Sequence, residues 1–534
     1  MPGAERWDNS RSFIVTHSLR RWFSNPLFLL ALAAGLVAFV VQSGELGTAD
    51  TQHRLQSAHS WWTAAPPVFP DEYPEFGVHG RGGKIQSWYG IGQSLLMFPA
   101  DVIGTYLERL PVFANYSGTD PSVRNIFVSY TTNILITVLT ALLCFRFLRR
   151  LNFNVKQSVL GVLALLLLTT HLHYTQNMME NNYIFLLTLT GLCFQYEWLR
   201  TGDRKALLIG SGAFGLNLLT RLTTGMDLMA GALFLLLVTW LEGTRGRKLW
   251  ERCRSYIAIA APVYLFFGLL DRLYQYYRFG SFFNTYMSVV AMEAKQRDPS
   301  LPASYPWNTP FHVGLFGALF SPEKSVFLFD PLLVLMILLV AVGWRRFAPV
   351  VKAYIAMGFF LLLAYISFYA RYTVWSGDFA WGDRYVSTSA EFAALVAVPL
   401  LLRHREAFGK LVWSAGLALC AISGVVQVAS LMFWLPLEIY QMETLGHPTF
   451  VVLLRLKNIL GFAAGTMMDN FAMHWDPWDY VHITTWNFLP FLLKRVGAAP
   501  RWVVHITMMM WWAGLALLVA TLSQLRRVLG AQAD

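Results

Sequence analysis

Two acidic residues, Glu45 and Asp50, follow directly on an apolar run at 27–42, in the stretch SGELGTADTQHRLQSAHSWW. A carboxylate at the edge of a low-dielectric layer can take a proton from an acceptor hydroxyl. Asp50 is assigned that task, with Glu45 as the second acid, closer to the apolar run. The competing reading of Asp50 is a helix N-cap, because a helical pattern begins just after it.

The same polar segment continues as EFGVHGRGGKIQSWYGIGQ, where glycines recur among His79, Arg81, Lys84, Trp88 and Tyr89. Glycines let backbone N–H groups and cations come close to an anion. Lys84 is therefore a candidate phosphate contact, and His79 and Tyr89 are candidate substrate contacts; an ordinary irregular loop is the plainer alternative. There is no nucleotide-binding glycine spacing. A third acid, Glu180, lies in HLHYTQNMMENNYIF, shortly after His171 and His173. Imidazole and carboxylate suit zinc or manganese. The spacing lacks a helical i,i+4 pair, so no metal is assigned and none is required, although a divalent ion is compatible with the chemistry.

Two arginines complete the set. Arg221 ends an apolar run in LNLLTRLTTGMD, and Arg384 opens one in WSGDFAWGDRYVS, with Trp381 and Asp383 beside it as substrate contacts. Arginines at such ends commonly snorkel to the interface. They can equally clamp a phosphate through bidentate hydrogen bonds. Asp383 is expected to pair with its neighbour Arg384.

These residues must be positioned by membrane-embedded helices. Of 534 residues, 55% are hydrophobic and only 14% charged, with mean hydropathy +0.44. A soluble chain of this size carries nearer a quarter charged residues. The expected fold is an all-α polytopic membrane protein of about twelve spans, between about ten and fourteen. The runs are 27–42, 126–148, 157–171, 182–199, 206–220, 225–241, 256–271, 326–343, 351–369, 385–402, 411–433 and 502–524. Residues 93–112 are apolar but interrupted by Pro99, Asp101 and Glu108, and are expected to form an interfacial or re-entrant helix. No repeat or long polar block separates a second domain, so residues 1–534 read as one integral membrane domain.

Lys and Arg collect in alternate short connections such as RFLRRLNFNVK, TRGRKLWERCR and RHREAFGK, and in the N-terminal segment with Arg6, Arg11, Arg20 and Arg21. Cytoplasmic loops carry that excess. The net charge of +11 is thus chiefly a topology signal, and nucleic acid is not an expected partner. The opposite connections, 43–125, 272–325 and 434–501 above all, hold most histidines and many aromatic residues, so chemistry is expected on the outer face. Residues 469–491, with Trp475, Trp478, Tyr480 and Trp486, read as an interfacial anchor, with acceptor binding as the alternative. The four cysteines are scattered without CxxC spacing and give neither a disulfide framework nor a zinc site. The first run has the basic flank of a signal peptide but no clear cleavage site, and is expected to be an uncleaved anchor.

An apolar anchor, an early acid in the first external loop and then GKIQSWYGIGQSLLMFP together resemble the first loop of the GT-C glycosyltransferases. That superfamily includes protein O-mannosyltransferases and the lipid A aminoarabinose transferase. YYRFGSFFNTY at 276–286, GLFGALFSPEKSVFLFDPLLVL at 314–335 and WSGDFAWGDRY at 375–385 resemble further stretches of bacterial members, in the same order. Tyr276 or Tyr277 stands where a small or amide residue is expected, Ser325 replaces a glycine, and Asp383 stands where the relatives usually have proline. Residues 411–534 carry no such likeness.

The resemblance implies a GT-C-like helical bundle and inverting transfer of a hexose or pentose from a polyprenyl phosphate. The acceptor would be a lipid, glycan or protein. By position, Asp50 is the implied base, Glu180 the second acid near the sugar, and Arg221, Arg384 and Lys84 the contacts to the lipid phosphate. It also implies a bacterial inner membrane, a cytoplasmic N-terminus and a periplasmic or luminal site. Competing classes are a transporter or flippase of lipid-linked sugars, and a ligase using a diphosphate donor. A transporter should show inverted repeats and mid-membrane ionisable groups.

Overall fold

The computed structural model describes residues 24–117, 121–466, 485–497 and 499–531. The basic N-terminal arginines and Trp475, Trp478 and Tyr480 lie outside them. The described chain is helical almost throughout, with one two-stranded antiparallel hairpin pairing Gly77–His79 with Ile85–Ser87. This fits an all-α membrane protein.

The number of membrane-length helices is lower than expected. Among the described residues, six are long and apolar enough to cross a bilayer: Val123–Arg150, Leu222–Leu241, Gly246–Phe279, Pro349–Tyr369, Arg405–Ser430 and Arg501–Ala531. Pro26–Val41, Val155–Leu168 and Phe311–Phe320 are apolar but shorter. The missing spans have identifiable causes. The run at 326–343 breaks at Asp330, which precedes a helix beginning with Pro331, so it forms Val326–Phe329 and then Pro331–Gly343. The run at 385–402 is divided at Leu395 and Val396 into Ser387–Ala394 and Ala397–Arg403. Asn181–Thr201 has 21 residues, yet Asn181, Asn182, Gln195 and Glu197 dilute its apolar content. Hydropathy summed along a window does not register the breaks at Asp330 and at Leu395 and Val396.

Local capping explains where several helices start. Asn25 accepts from the Leu27 N–H at 2.9 Å and Pro26 occupies the first turn of Pro26–Val41. Asn154 and Gln157 cap each other's backbone at the start of Val155–Leu168, at 2.8 and 3.0 Å. In Ala49–His59 the N-cap is Thr48, whose hydroxyl accepts from the Thr51 N–H at 3.3 Å. Asp50 is therefore not the cap, and its carboxylate is free to act elsewhere. Ile91–Glu108 forms as expected around Pro99, anchored by buried Asp101, which accepts from Arg124 at 2.5 Å and Trp62 at 2.8 Å.

Pro349–Tyr369 lies at the centre, where Phe147, Phe234 and Tyr354 meet edge to face. Gly246–Phe279 and Arg501–Ala531 lie at the periphery, with large apolar side chains facing outward, as helices in contact with lipid do. The C-terminal part of the chain joins this core through buried polar knots. The Gln176 amide donates to the carbonyls of Val41, Leu431 and Asn487 at 2.8, 3.1 and 2.7 Å. Fully buried Arg455 grips both oxygens of Glu438 and the carbonyls of Ser430, Phe433 and Trp434. It thereby satisfies the end of Arg405–Ser430 and fixes the turn at 431–436. Trp486, partly buried, packs against Phe433 and Phe462.

Candidate active site

The approach of two backbone segments assembles the site. Gly47, at φ 81°, lies so close to Asn177 that an added Cβ would fall 2.6 Å from the Asn177 Cα. The Thr51 hydroxyl donates to the Met178 carbonyl. Ala49–His59 is thus pinned beside the turn preceding Asn181–Thr201, bringing the first acid of the chain next to Glu180.

Five charged groups meet there. Asp50 Oδ2 accepts from Arg384 Nη1 at 2.6 Å, and its Oδ1 accepts from the Tyr89 hydroxyl at 2.6 Å. Glu180 is almost fully buried, bonded to Arg221 through Oε1 and in ion contact with Arg54 Nη2 through Oε2 at 2.7 Å. Arg54 lies over the Tyr89 ring at 4.2 Å, and Arg384 and Arg221 flank Tyr385 at 5.2 and 5.3 Å. Two carboxylates face three guanidinium groups here, and Glu75, Asp271 and Asp378 add further acidic side chains to the wall of the same cavity. Two N–H groups have no protein acceptor: Arg54 Nη1 and Arg384 Nε, both buried.

Electrostatics follow from this crowding. Burial would raise the Asp50 carboxyl, but Arg384, Arg54 and the Tyr89 hydrogen bond override it and hold it at about 2. Burial likewise opposes ionisation of Glu180, and Arg221 and Arg54 reverse that effect, keeping it below the usual range. The Tyr89 hydroxyl is pushed well up by burial and by Asp50, and remains a donor.

Asp50, Glu75, Phe76, Asp378 and Arg384 are common to the walls of two cavities. The larger, about 470 Å³, contains Arg54, Glu180, Arg221 and Tyr89 and continues between Tyr286, Trp307, Phe368 and Tyr369. The smaller, about 390 Å³, is lined by Glu45, Gln52, Phe379 and Trp434. Trp434 belongs to the turn fixed by Arg455, so the C-terminal region contributes to the site.

Of the sequence candidates, Asp50, Glu180, Arg221, Arg384 and Tyr89 come together, and Glu45 lines the smaller cavity. The others lie apart. Lys84 is exposed beyond the hairpin turn, where Gly82 and Gly83 have φ 72° and 74°; these glycines serve a turn rather than an anion. His79 is half exposed on that hairpin beside Glu293, at 3.5 Å. Trp381 is buried against His173 and Phe329 and reaches neither cavity. Asp383 does not take Arg384 as its partner: its Oδ1 accepts the Tyr385 N–H at 3.0 Å, while Arg384 extends to Asp50. His171 contacts Glu391 at 3.3 Å, and Glu180 is occupied by arginines, so they form no trio with His173. Among the described residues no group of three His, Cys, Asp or Glu is arranged to hold a metal.

Arg54 escaped the sequence reading, although it stands four residues after Asp50 and so shares its helix face. Lys324 escaped as well. Its buried ammonium donates to the carbonyls of Asp378, Ala380 and Gly382 at 2.5, 2.9 and 3.4 Å, fixing the loop that carries Arg384. Burial brings it down to about 8. Lys324→Met leaves three carbonyls without this donor and is expected to lower stability by about 1–3 kcal/mol, read as a fall in Tm.

Asp383 offers a test of opposite sign. Burial raises it to about 7, against the Tyr385 N–H and Lys324, so the fold favours its protonated form. Its contribution to stability weakens as pH rises from about 4 to 7. Asp383→Asn retains the acceptor oxygen. Its stability relative to the parent is expected to improve between pH 5 and pH 8 by on the order of 1–2 kcal/mol, measured as paired melting curves.

Fold and site together define a helical membrane protein with a buried cluster of paired carboxylates and arginines beside two cavities. No protein-family model matches the chain, and no curated protein matches it.

Proposed function

We propose that the protein is an inverting glycosyltransferase of the GT-C type. It moves a sugar from a polyprenyl-phosphate donor to an acceptor on the periplasmic or luminal face. The observation that most supports this is the position of Asp50 in a wall shared by two cavities, beside buried guanidinium N–H groups that lack protein acceptors.

In this reading the larger cavity takes the donor. Its aromatic walls receive the isoprenoid, and Arg54, Arg221 and Arg384 face the phosphate. A phosphodiester carries one negative charge and offers acceptor oxygens to the buried Arg54 and Arg384 N–H groups that lack them. The smaller cavity takes the acceptor, whose hydroxyl approaches Asp50. The acceptor oxygen attacks the anomeric carbon as its proton passes to Asp50, and the bond to phosphate breaks with the electron pair leaving on the phosphate oxygen. Configuration inverts, and the arginines stabilise the charge that develops on the leaving phosphate.

The test is incubation of the purified protein with a panel of polyprenyl-phosphate sugars and candidate acceptors, with product analysed for anomeric configuration. An inverted product supports the reading; a retained configuration, or no donor consumed from the panel, counts against it.

A second reading, transport of a lipid-linked sugar, is favoured by one observation. Glu391 and Asp330 are buried within apolar helical runs, both 3.0 Å from the Thr170 hydroxyl, beside His171. Buried ionisable groups within apolar runs often mark a transport path. Movement of unmodified lipid-linked sugar across liposomes containing the protein would select this reading.

A further inference from the structure

Arg384 serves two claimants. Its Nη1 is bonded to Asp50, its Nη2 reaches the Tyr385 hydroxyl at 3.3 Å, and its Nε is buried without an acceptor. The side chain lines both cavities. Gly377, at φ 76°, makes room for it, since a Cβ there would fall 2.7 Å from the Arg384 Cγ. With Arg384 on Asp50, the carboxylate is a weak proton acceptor, and a base of that strength takes little part in deprotonating a hydroxyl.

We propose that Arg384 is a ligand-operated switch on Asp50: a phosphodiester entering the larger cavity draws the guanidinium away from the carboxylate, and Asp50 becomes a competent base only when the donor is seated. This rests on the donor reading given above and adds its control. The other groups facing Asp50 remain in place. Tyr89 still donates to Oδ1, and Arg54 still lies on the same helix face. His53, Glu75, Asp378 and Glu180 complete the nearby charges. The freed carboxyl therefore rises only part of the way toward an ordinary value.

The switch also orders the reaction. While the larger cavity is empty, Asp50 does not activate water or an acceptor in the smaller one. During transfer Asp50 takes the acceptor proton, and the phosphate gains a second negative charge that holds Arg384. When the lipid phosphate leaves, Arg384 returns to Asp50, whose affinity for the proton falls again, and the proton passes to solvent. No cofactor or further reactant is needed for the balance.

The test uses full-length protein in detergent and dihexyl phosphate, a diester whose own charge is constant near pH 3.5. Isothermal titration at pH 3.5 in two buffers of different ionisation enthalpy measures protons taken up on binding. The switch requires the parent protein to take up a few tenths of a proton per diester bound, as a carboxyl rising from about 2 toward its ordinary range does at this pH. Asp50→Asn should bind the diester without that increment; binding by the variant also reports that its fold is intact. Equal uptake in both proteins, or none in the parent despite binding, overturns the switch and leaves the donor site standing. Failure of the parent to bind the diester overturns the donor reading and the switch together.

Discussion

Asp50→Asn is expected to reduce sugar transfer by at least about 100-fold, the usual range for loss of a general base being about 100- to 10,000-fold. The substitution keeps volume and an acceptor oxygen for Tyr89, but removes the site that takes the acceptor proton. At about 1.4 kcal/mol per factor of ten, the loss corresponds to roughly 3–5 kcal/mol of transition-state stabilisation. The fold should survive, because the Asp50–Arg384 pair is only partly buried, with 18% and 15% of the side chains exposed. The accompanying stability change carries its own sign. Asp50 is held at about 2, below its ordinary range. The stabilisation it supplies is present above about pH 4 and lost as pH falls through 2. The difference in Tm between parent and variant should therefore narrow from pH 5 to pH 2. Transfer that proceeds at the parental rate with asparagine at position 50 removes this residue as the base.

The second large effect is structural. Glu180→Gln is expected to lower stability by about 3–5 kcal/mol, because loss of one partner leaves buried guanidinium charge without its counter-ion. Arg54 and Arg221 converge on this one carboxylate, and Glu180 and Arg54 are both nearly inaccessible to water. Glutamine retains one acceptor oxygen but not the charge that offsets two arginines. Pairing the change with Arg221→Gln should recover part of the loss, since the double variant again balances charge, and a double-mutant cycle on Tm measures that coupling. An unchanged Tm in Glu180→Gln would mean that Arg54 and Arg221 are neutralised by other groups.

These expectations depend unequally on sequence and fold. The positions of Asp50, Glu180, Arg221 and Arg384 near the ends of apolar runs made them candidates, because charge is tolerated there and costly in the interior, although position alone favours a helix N-cap for Asp50 and snorkelling for the arginines. Their partners were not legible. Asp50 and Arg384 are 334 residues apart, and a sequence offers Arg384 an obvious neighbour in Asp383. The fold rejects that neighbour because Asp383 turns inward to cap the backbone at Tyr385. Arg54 carried a usable signal, its i,i+4 spacing from Asp50, whereas Lys324 carried none: its three acceptors are backbone carbonyls, which every sequence has.

Lys84, His79 and Trp381 were drawn in by composition. Glycine-rich loops and β-hairpin turns use the same residue, and only the pairing of Gly77–His79 with Ile85–Ser87 distinguishes them. The twelve expected spans likewise came from composition alone, and Asp330 with Pro331 shows how a polar turn divides one apolar run into two short helices.

What the sequence determined by itself is the all-helical, membrane-type character of the chain and the places where charge borders its apolar runs. Both follow from the amount and periodicity of apolar side chains, which are local properties. The tertiary structure alone decided which charges pair, which N–H groups remain without a partner, and that Asp50 lies between two cavities. Those outcomes depend on the approach of segments far apart in the chain, such as Gly47 against Asn177, and on a low dielectric that only the assembled helices create.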